Sequence, residues 1–291
     1  MVQADDLDAL DLLIWLGTGT EVARHCHCNQ STISRRVHQA LRPFGLNLIR
    51  RQGEWALRQD SELLALERQV HQLHRFLKGS PLRVDASYLA APLLQDISTA
   101  SQAWIQGRIK TIGSHRPLEL LRERVLDAWI TGMDQDLPQL DPQTFSRIRL
   151  LRTPLRIVAA EGHPLHGQGQ LSSADLAPFP RLAPRPGQYP RTERQIKRLD
   201  FKPPLHLSPA RHYGPDLTGA PPLALHYGTA ITLLHQPSQQ PLDFSLNVDS
   251  QVSLVVRTDV LEQPGVALLL DRLQAQSQLL ATGNDAVRLA A

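Results

Sequence analysis

The stretch that most constrains the fold is residues 1–58, where three short helical patterns are cut apart by tight breaks and followed by two strand-like pieces. Leu7, Leu10, Leu13 and Ile14 make one apolar stripe over residues 5–16, the period of a helix with one buried face. Gly17-Thr18-Gly19 stops that helix. Thr20 is placed to cap a second helix over 21–27, and Asn29 a third over 30–41, because a short side-chain oxygen satisfies the free N–H groups of a helix start. Pro43 and Gly45 break the pattern, and residues 46–49 and 55–57 flank Gln52-Gly53-Glu54 as a hairpin.

Charge is distributed unevenly along this stretch. Residues 1–19 hold Asp5, Asp6, Asp8 and Asp11 and no base, whereas residues 20–58 hold seven arginines against Glu21 and Glu54. Over the whole chain the net charge is only +3, and of 31 basic residues all but Lys78, Lys110, Lys197 and Lys202 are arginine. A small basic block on a nearly neutral body marks a nucleic-acid-binding module. On a helix over 30–41, Ile33 and Val37 face inward, which leaves Gln30, Ser31, Ser34, Arg35 and His38 outward. Amides, hydroxyls and guanidinium groups are what base edges and phosphates bind. With the helix and turn before it, the run reads as a helix-turn-helix, and Arg50 and Arg51 sit where a hairpin wing meets a nucleic-acid backbone. A solvated polar face is the plainer alternative.

Residues 60–78 contain no Gly or Pro and space Leu63, Leu66, Val70, Leu73 and Leu77 by 3, 4, 3 and 4. That is an a/d seam over two heptads, expected to pair two copies of the chain unless it packs on its own domain. Beyond Gly79-Ser80-Pro81, strand-like pieces at 82–85, 109–112, 125–130, 156–160 and 254–257 alternate with helical ones at 92–103, 117–124 and 265–280. Such alternation predicts an α/β body with mainly parallel strands. Eleven prolines between 178 and 222 predict a loop-rich stretch, and 282–291 a frayed tail.

The order Val22-Ala23, then Asn29-Gln30-Ser31-Thr32-Ile33-Ser34, Val37 and Phe44-Gly45-Leu46-Asn47-Leu48-Ile49-Arg50-Arg51 resembles the winged helix-turn-helix of LysR-type transcriptional regulators. Leu118-Glu119-Leu120-Leu121, residues 125–130, His163-Pro164-Leu165 and Tyr227-Gly228-Thr229-Ala230 extend the resemblance along the chain. It implies an α/β fold with an N-terminal α-rich winged helix-turn-helix (1–59), a long linker and dimerisation helix (60–79), and a periplasmic-binding-protein-like effector domain (80–291). Lobe I would take about 80–152 and 256–291, and lobe II about 153–255. It also implies a homodimer or homotetramer on double-stranded DNA, with a small metabolite between the lobes.

The DNA-binding set expected is Gln30, Ser31, Thr32, Ser34, Arg35, Arg36, Arg50 and Arg51. Ligands of open α/β lobes sit beyond strand ends, near helix N-termini. That places Ser87, Ser114, His115, Arg116 and Thr131 of lobe I, and Arg185, Gln188, His226 and Thr229 of lobe II, around a small anion. Two other readings stay open. One is an effector-independent DNA-binding protein with a degenerate pocket, the other a small-molecule-binding protein whose N-terminal module mediates assembly.

Cys26 and Cys28 are too few and too close for a disulfide scaffold. In His25-Cys26-His27-Cys28 alternate side chains diverge, so packing is the expectation and neither a metal nor a cofactor is expected. His71 and His74 are expected on a solvated face. No His-Glu-x-x-His, P-loop or Gly-x-Ser-x-Gly motif is present, and the chain is expected not to be an enzyme. The acidic start, and the lack of a run approaching 18 apolar residues, predict a cytoplasmic chain with no membrane partner.

Overall fold

A computed structural model of the chain describes residues 2–51, 53–98, 103–107, 113–183, 186–199, 205–206 and 223–290. Helix α1 (Ala4–Leu16) ends at Gly17. The glycine's φ of +80° is a left-handed turn that L side chains adopt only at a cost. This turn leaves Thr18 extended, and its hydroxyl accepts from the Glu21 N–H at 3.4 Å to cap α2 (Gly19–His25). The cap is therefore Thr18 rather than Thr20. Helix α3 (Gln30–Leu41) follows Asn29, and β1 (Leu48–Arg51) pairs antiparallel with β2 (Glu54–Leu57) to make the wing.

Ser61 caps α4 (Glu62–Leu77) by accepting from the Leu64 N–H at 3.3 Å. The body follows as β3 (Leu82–Ala86), α5 (Ala91–Ser98), β4 (Trp104–Gln106), α6 (His115–Arg122), β5 (Ala128–Thr131) and β6 (Phe145–Ala160). Then come α7 (Ser173–Leu176), β7 (Leu182–Ala183), α8 (Pro190–Lys197), β8 (Leu205–His206), β9 (His226–Gly228) and α9 (Ala230–Leu234). The chain closes with β10 (Gln239–Arg257), α10 (Pro264–Gly283) and β11 (Arg288–Leu289).

The main sheet runs β11-β6-β10-β5-β3-β4, with β9 also on β6. Its strands are mixed rather than mainly parallel. Only β4, β3 and β5 pair parallel, and β6 and β10 form a long antiparallel ribbon. The cause is visible in β10, where burial alternates strictly from Pro241 to Ser250. That period of two belongs to an antiparallel strand with one wet face, and the strand is longer than the 254–257 that the sequence predicts. The tail is not frayed: Arg288 and Leu289 pair with Arg152 and Leu151, and Val287 is buried. The strand expected at 109–112 lies outside the described residues.

Among the described residues, three apolar clusters hold the chain together. One joins Leu7, Leu10, Val22, Ile33 and Val37 of the N-terminal module to Leu121, Leu126 and Trp129 of the body. A second packs β3, β5 and α10 through Val84, Ile130, Leu269 and Leu273. The third sets Tyr88, Leu89 and Met133 against Ile157, Leu182, Tyr227 and Phe244. The winged module thus shares a continuous core with the body behind it.

Candidate functional site

Helix α3 buries Ile33, Val37, Ala40 and Leu41, which turns Gln30, Ser31, Ser34, Arg35 and His38 to solvent, with Thr32 and Arg36 half-buried. Gln30 lies over the start of α2, where a Cβ on Gly19 would come 3.1 Å from its Cγ. Arg36 donates to Asp5 at 2.7 Å, tying α3 to α1, whereas Arg35 makes no ion pair among the described residues. Arg50 and Arg51 are exposed on the wing, and the Arg50 guanidinium lies 4.6 Å above the Trp55 ring. The face therefore presents hydroxyls, an amide and guanidinium groups on a helix and a hairpin fixed by one core. Cys26 and Cys28 are half-buried under it, and burial pushes the Cys26 thiol up, away from the reactive thiolate.

Helix α4 carries two opposite faces. Leu63, Leu66, Val70, Leu73 and Leu77 are 41% to 87% exposed. The buried face is Leu64, Arg68, Gln72 and Arg75. Arg68 pairs with Asp11 of α1 at 2.8 Å and with Glu123 at 2.9 Å. Gln72 and Arg75 donate to the Asp127 carboxylate at 2.8 and 2.9 Å. Arg83 of β3 reaches Asp8 at 2.6 Å and Asp11 at 3.4 Å, and its guanidinium stays charged because those carboxylates outweigh burial. Arg124 donates to Gln72 at 2.7 Å and pairs with Asp259 at 2.5 Å. Trp15 donates to Asp85 at 3.0 Å. Module, linker and body are therefore joined through buried ion pairs. On the same helix His74 is exposed, but His71 is half-buried 3.5 Å from Glu67, so only one of the two lies on a solvated face.

Between the lobes the expected effector residues separate into groups. The Ser87 hydroxyl accepts from the Gly132 N–H at 2.8 Å, and Thr131 Oγ1 from the Met133 N–H at 3.1 Å, so both brace strand ends. Gly113, beside Ser114, donates its N–H to Tyr189 Oη at 3.0 Å. A Cβ there would fall 2.2 Å from Gln188 Oε1. Thr229 caps α9 reciprocally with Thr232. His226 is buried with neither ring nitrogen bonded among the described residues, and desolvation pushes it down to about 4. His115 is exposed, and Arg185 lies outside the described residues.

Arg116 points to the winged module and not to the cleft: its guanidinium bonds the Trp55 and Ile14 carbonyls at 2.7 and 3.3 Å. A long side chain at the start of α6 reaches backbone acceptors outside its own lobe, and β2 and α1 supply them.

Several residues at these sites escape a sequence reading. Asp136, just beyond β5, accepts from the Arg191 N–H at 2.6 Å and the Thr192 hydroxyl at 2.5 Å at the start of α8. It places the chain's own carboxylate where a helix start favours an anion. Gln135 donates to Thr192 at 3.2 Å, and Tyr88 to Gln236 at 3.2 Å. Of the partners of the α4 ion pairs, Asp11 alone had a sequence signal, the base-free run of aspartates over 1–19.

The arrangement defines a class: a winged helix-turn-helix joined by one helix to a two-lobed α/β body. Residues 84–213 match the family model described as "LysR substrate binding domain". The chain is 29% identical over 191 residues to a "Probable nitrogen assimilation transcriptional activator" of Synechococcus elongatus. That match covers 59% of this chain and 60% of the relative, less than two thirds of its length. Among solved structures, full-length OxyR from Pseudomonas aeruginosa superposes with a TM-score of 0.51 at 17% identity, covering 95% of this chain and 94% of that one. ArgP from Mycobacterium tuberculosis also gives 0.51 at 17% identity, over 93% and 96%. These structural likenesses show the fold, and over residues 84–213 the chain is similar to a LysR substrate binding domain. None of its described helices is long and apolar enough to cross a membrane.

Proposed function

We propose that this chain is a transcriptional regulator, not an enzyme, that acts in the bacterial cytoplasm on double-stranded DNA. The observation that carries the reading is the exposed polar face of α3, flanked by Arg50 and Arg51 of the wing and seated on a rigid core. Gln30, Ser31, Thr32, Ser34 and Arg35 read or anchor DNA in a major groove, and Arg50 and Arg51 hold its backbone. Arg36 anchors DNA by exchanging Asp5 for a phosphate, or holds α3 in place through Asp5. The exposed seam of α4 pairs two chains, and that homodimer is the unit from which a homotetramer is built.

A small anion at the cleft meets Ser87, Ser114, Thr131, Arg185 and Gln188, and it shifts the equilibrium between conformations of the assembly. His226 and Thr229 support that cleft from β9 and α9. A second reading, control without an effector, is favoured by one observation: Asp136 already fills the start of α8. A thermal-shift screen with small carboxylates and phosphorylated metabolites separates the two. Consistent stabilisation by one class supports the effector, and no shift supports self-occupation.

Selection of bound fragments from random DNA at near-physiological salt tests the main reading. A two-fold-symmetric motif is the expected result, lost in an Arg35→Ala, Arg36→Ala double variant that stays folded. Recovery of no motif, with binding that vanishes as salt rises, would leave a generic basic patch.

A further inference from the structure

We propose that Arg116 of the body is a positioning residue for DNA binding, setting the wing from behind so that Arg50 meets the DNA backbone. The inference rests on the regulator reading above. Arg116 is the second residue of α6 and its side chain is largely enclosed. Its guanidinium joins three separate elements. Nη2 donates to the Trp55 carbonyl of β2 at 2.7 Å and to the Ile14 carbonyl of α1 at 3.3 Å. Nε pairs with Glu54 of the wing at 3.1 Å, and Nη1 with Glu119 of its own helix at 2.8 Å. A planar fork with five N–H donors can make all these bonds at once, and an ammonium cannot reproduce that geometry.

Trp55 passes the constraint outward. Its indole N–H donates to the Gly17 carbonyl at 3.1 Å, in the turn between α1 and α2. Its ring lies 4.6 Å beneath the guanidinium of Arg50, the residue directly opposite it in the hairpin register. A two-stranded hairpin alone is marginally stable and free to twist. Here one of its two strands is held by a carbonyl bond from another domain, and a cation–π contact fixes the long Arg50 side chain. The inner end of the path lies at the lobe boundary. Gly113, three residues before Arg116, has a φ of +82° and donates to Tyr189 beside α8 at 3.0 Å. Arg116 thus stands between the lobe contact and the wing within one subunit.

The test uses the full chain and a DNA site recovered by selection, with Kd measured from 50 to 300 mM salt. Variants are Arg116→Ala, Arg50→Ala, the pair together, and Arg116→Lys. Losing one well-placed phosphate contact lowers the slope of log K against log salt by about 0.9. The expected result is that Arg116→Ala weakens binding on the order of tenfold and lowers the slope by about that one contact, with base preferences unchanged. Arg50→Ala does the same, and the double variant is no weaker than either single one, because both act on one contact. Arg116→Lys keeps the charge and loses the fork, so it behaves like Arg116→Ala. It also carries the test should the alanine variant fail to fold by circular dichroism.

An unchanged slope, or effects of Arg116→Ala and Arg50→Ala that add, would overturn the inference and leave the regulator reading intact. If the wild-type chain recovers no site, the regulator reading falls and this inference falls with it.

Discussion

The two faces of α4 invert the usual arrangement of a helix on a globular body. The side turned to solvent is Leu63, Leu66, Val70, Leu73 and Leu77, and the side turned inward is built on Arg68, Gln72 and Arg75. An isolated chain would gain by the reverse, because each exposed leucine forgoes about 1.5–3 kcal/mol of burial. The inward face completes its contacts within one chain, whereas the outward face is left exposed. Buried guanidinium groups are tolerable only where every partner is fixed in advance, as Asp11, Glu123 and Asp127 are. The leucines need only a second apolar surface of matching period, which a copy of the same helix would supply.

The largest effect is expected from breaking the inward face. Asp11→Ala leaves Arg68 and Arg83 short of a buried carboxylate, with Glu123 and Asp8 as their remaining acids. A loss of about 3 kcal/mol follows, the lower end for a broken buried pair because those two acids remain. Urea denaturation at pH 7 measures it, and a loss below about 1 kcal/mol would show that the ion pairs do not join module to body.

A smaller effect comes from a buried polar group with no hydrogen-bond partner among the described residues. His226 titrates near 4 in the folded chain against 6.5 for an unhindered imidazole, because burial disfavours the charged ring. Below 6.5 the unfolded chain binds the proton first, so stability is full above that value and declines as the pH falls toward 4. Between pH 7 and pH 5 this group should remove about 2 kcal/mol. His226→Phe should lose that part of the slope. An unchanged slope would place the proton uptake elsewhere.

Much of the N-terminal module was legible because its signals are local. The stripe of Leu7, Leu10 and Ile14, the breaks at Gly17 and Gly45, and the inward Ile33 and Val37 each depend on near neighbours. The leucine seam was legible as a pattern, though pattern alone could not say whether it was buried. Long-range pairing was out of reach. Arg68 finds Asp11 at 57 residues' separation and Arg83 finds Asp8 at 75, and the sequence showed only that residues 1–19 are acidic without a base. Arg116 illustrates the same limit. Its place after a strand-like segment suits an anion site, but a flexible side chain bonds where acceptors converge, and they converge on the wing. Asp136 was unreadable for a related reason: a helix start attracts any carboxylate, and one from another lobe arrives through the fold.

The central claim is that the apolar face of α4 serves a second copy of the chain. Sedimentation equilibrium of the full chain and of a Leu66→Lys, Leu73→Lys variant tests it directly. The account predicts wild-type protein at a multiple of 32.5 kDa at micromolar concentration. The variant should weaken association by at least about a hundredfold, since two buried leucines contribute roughly 3–6 kcal/mol. Wild-type protein sedimenting at 32.5 kDa, or a variant that associates as well as wild type, would contradict it.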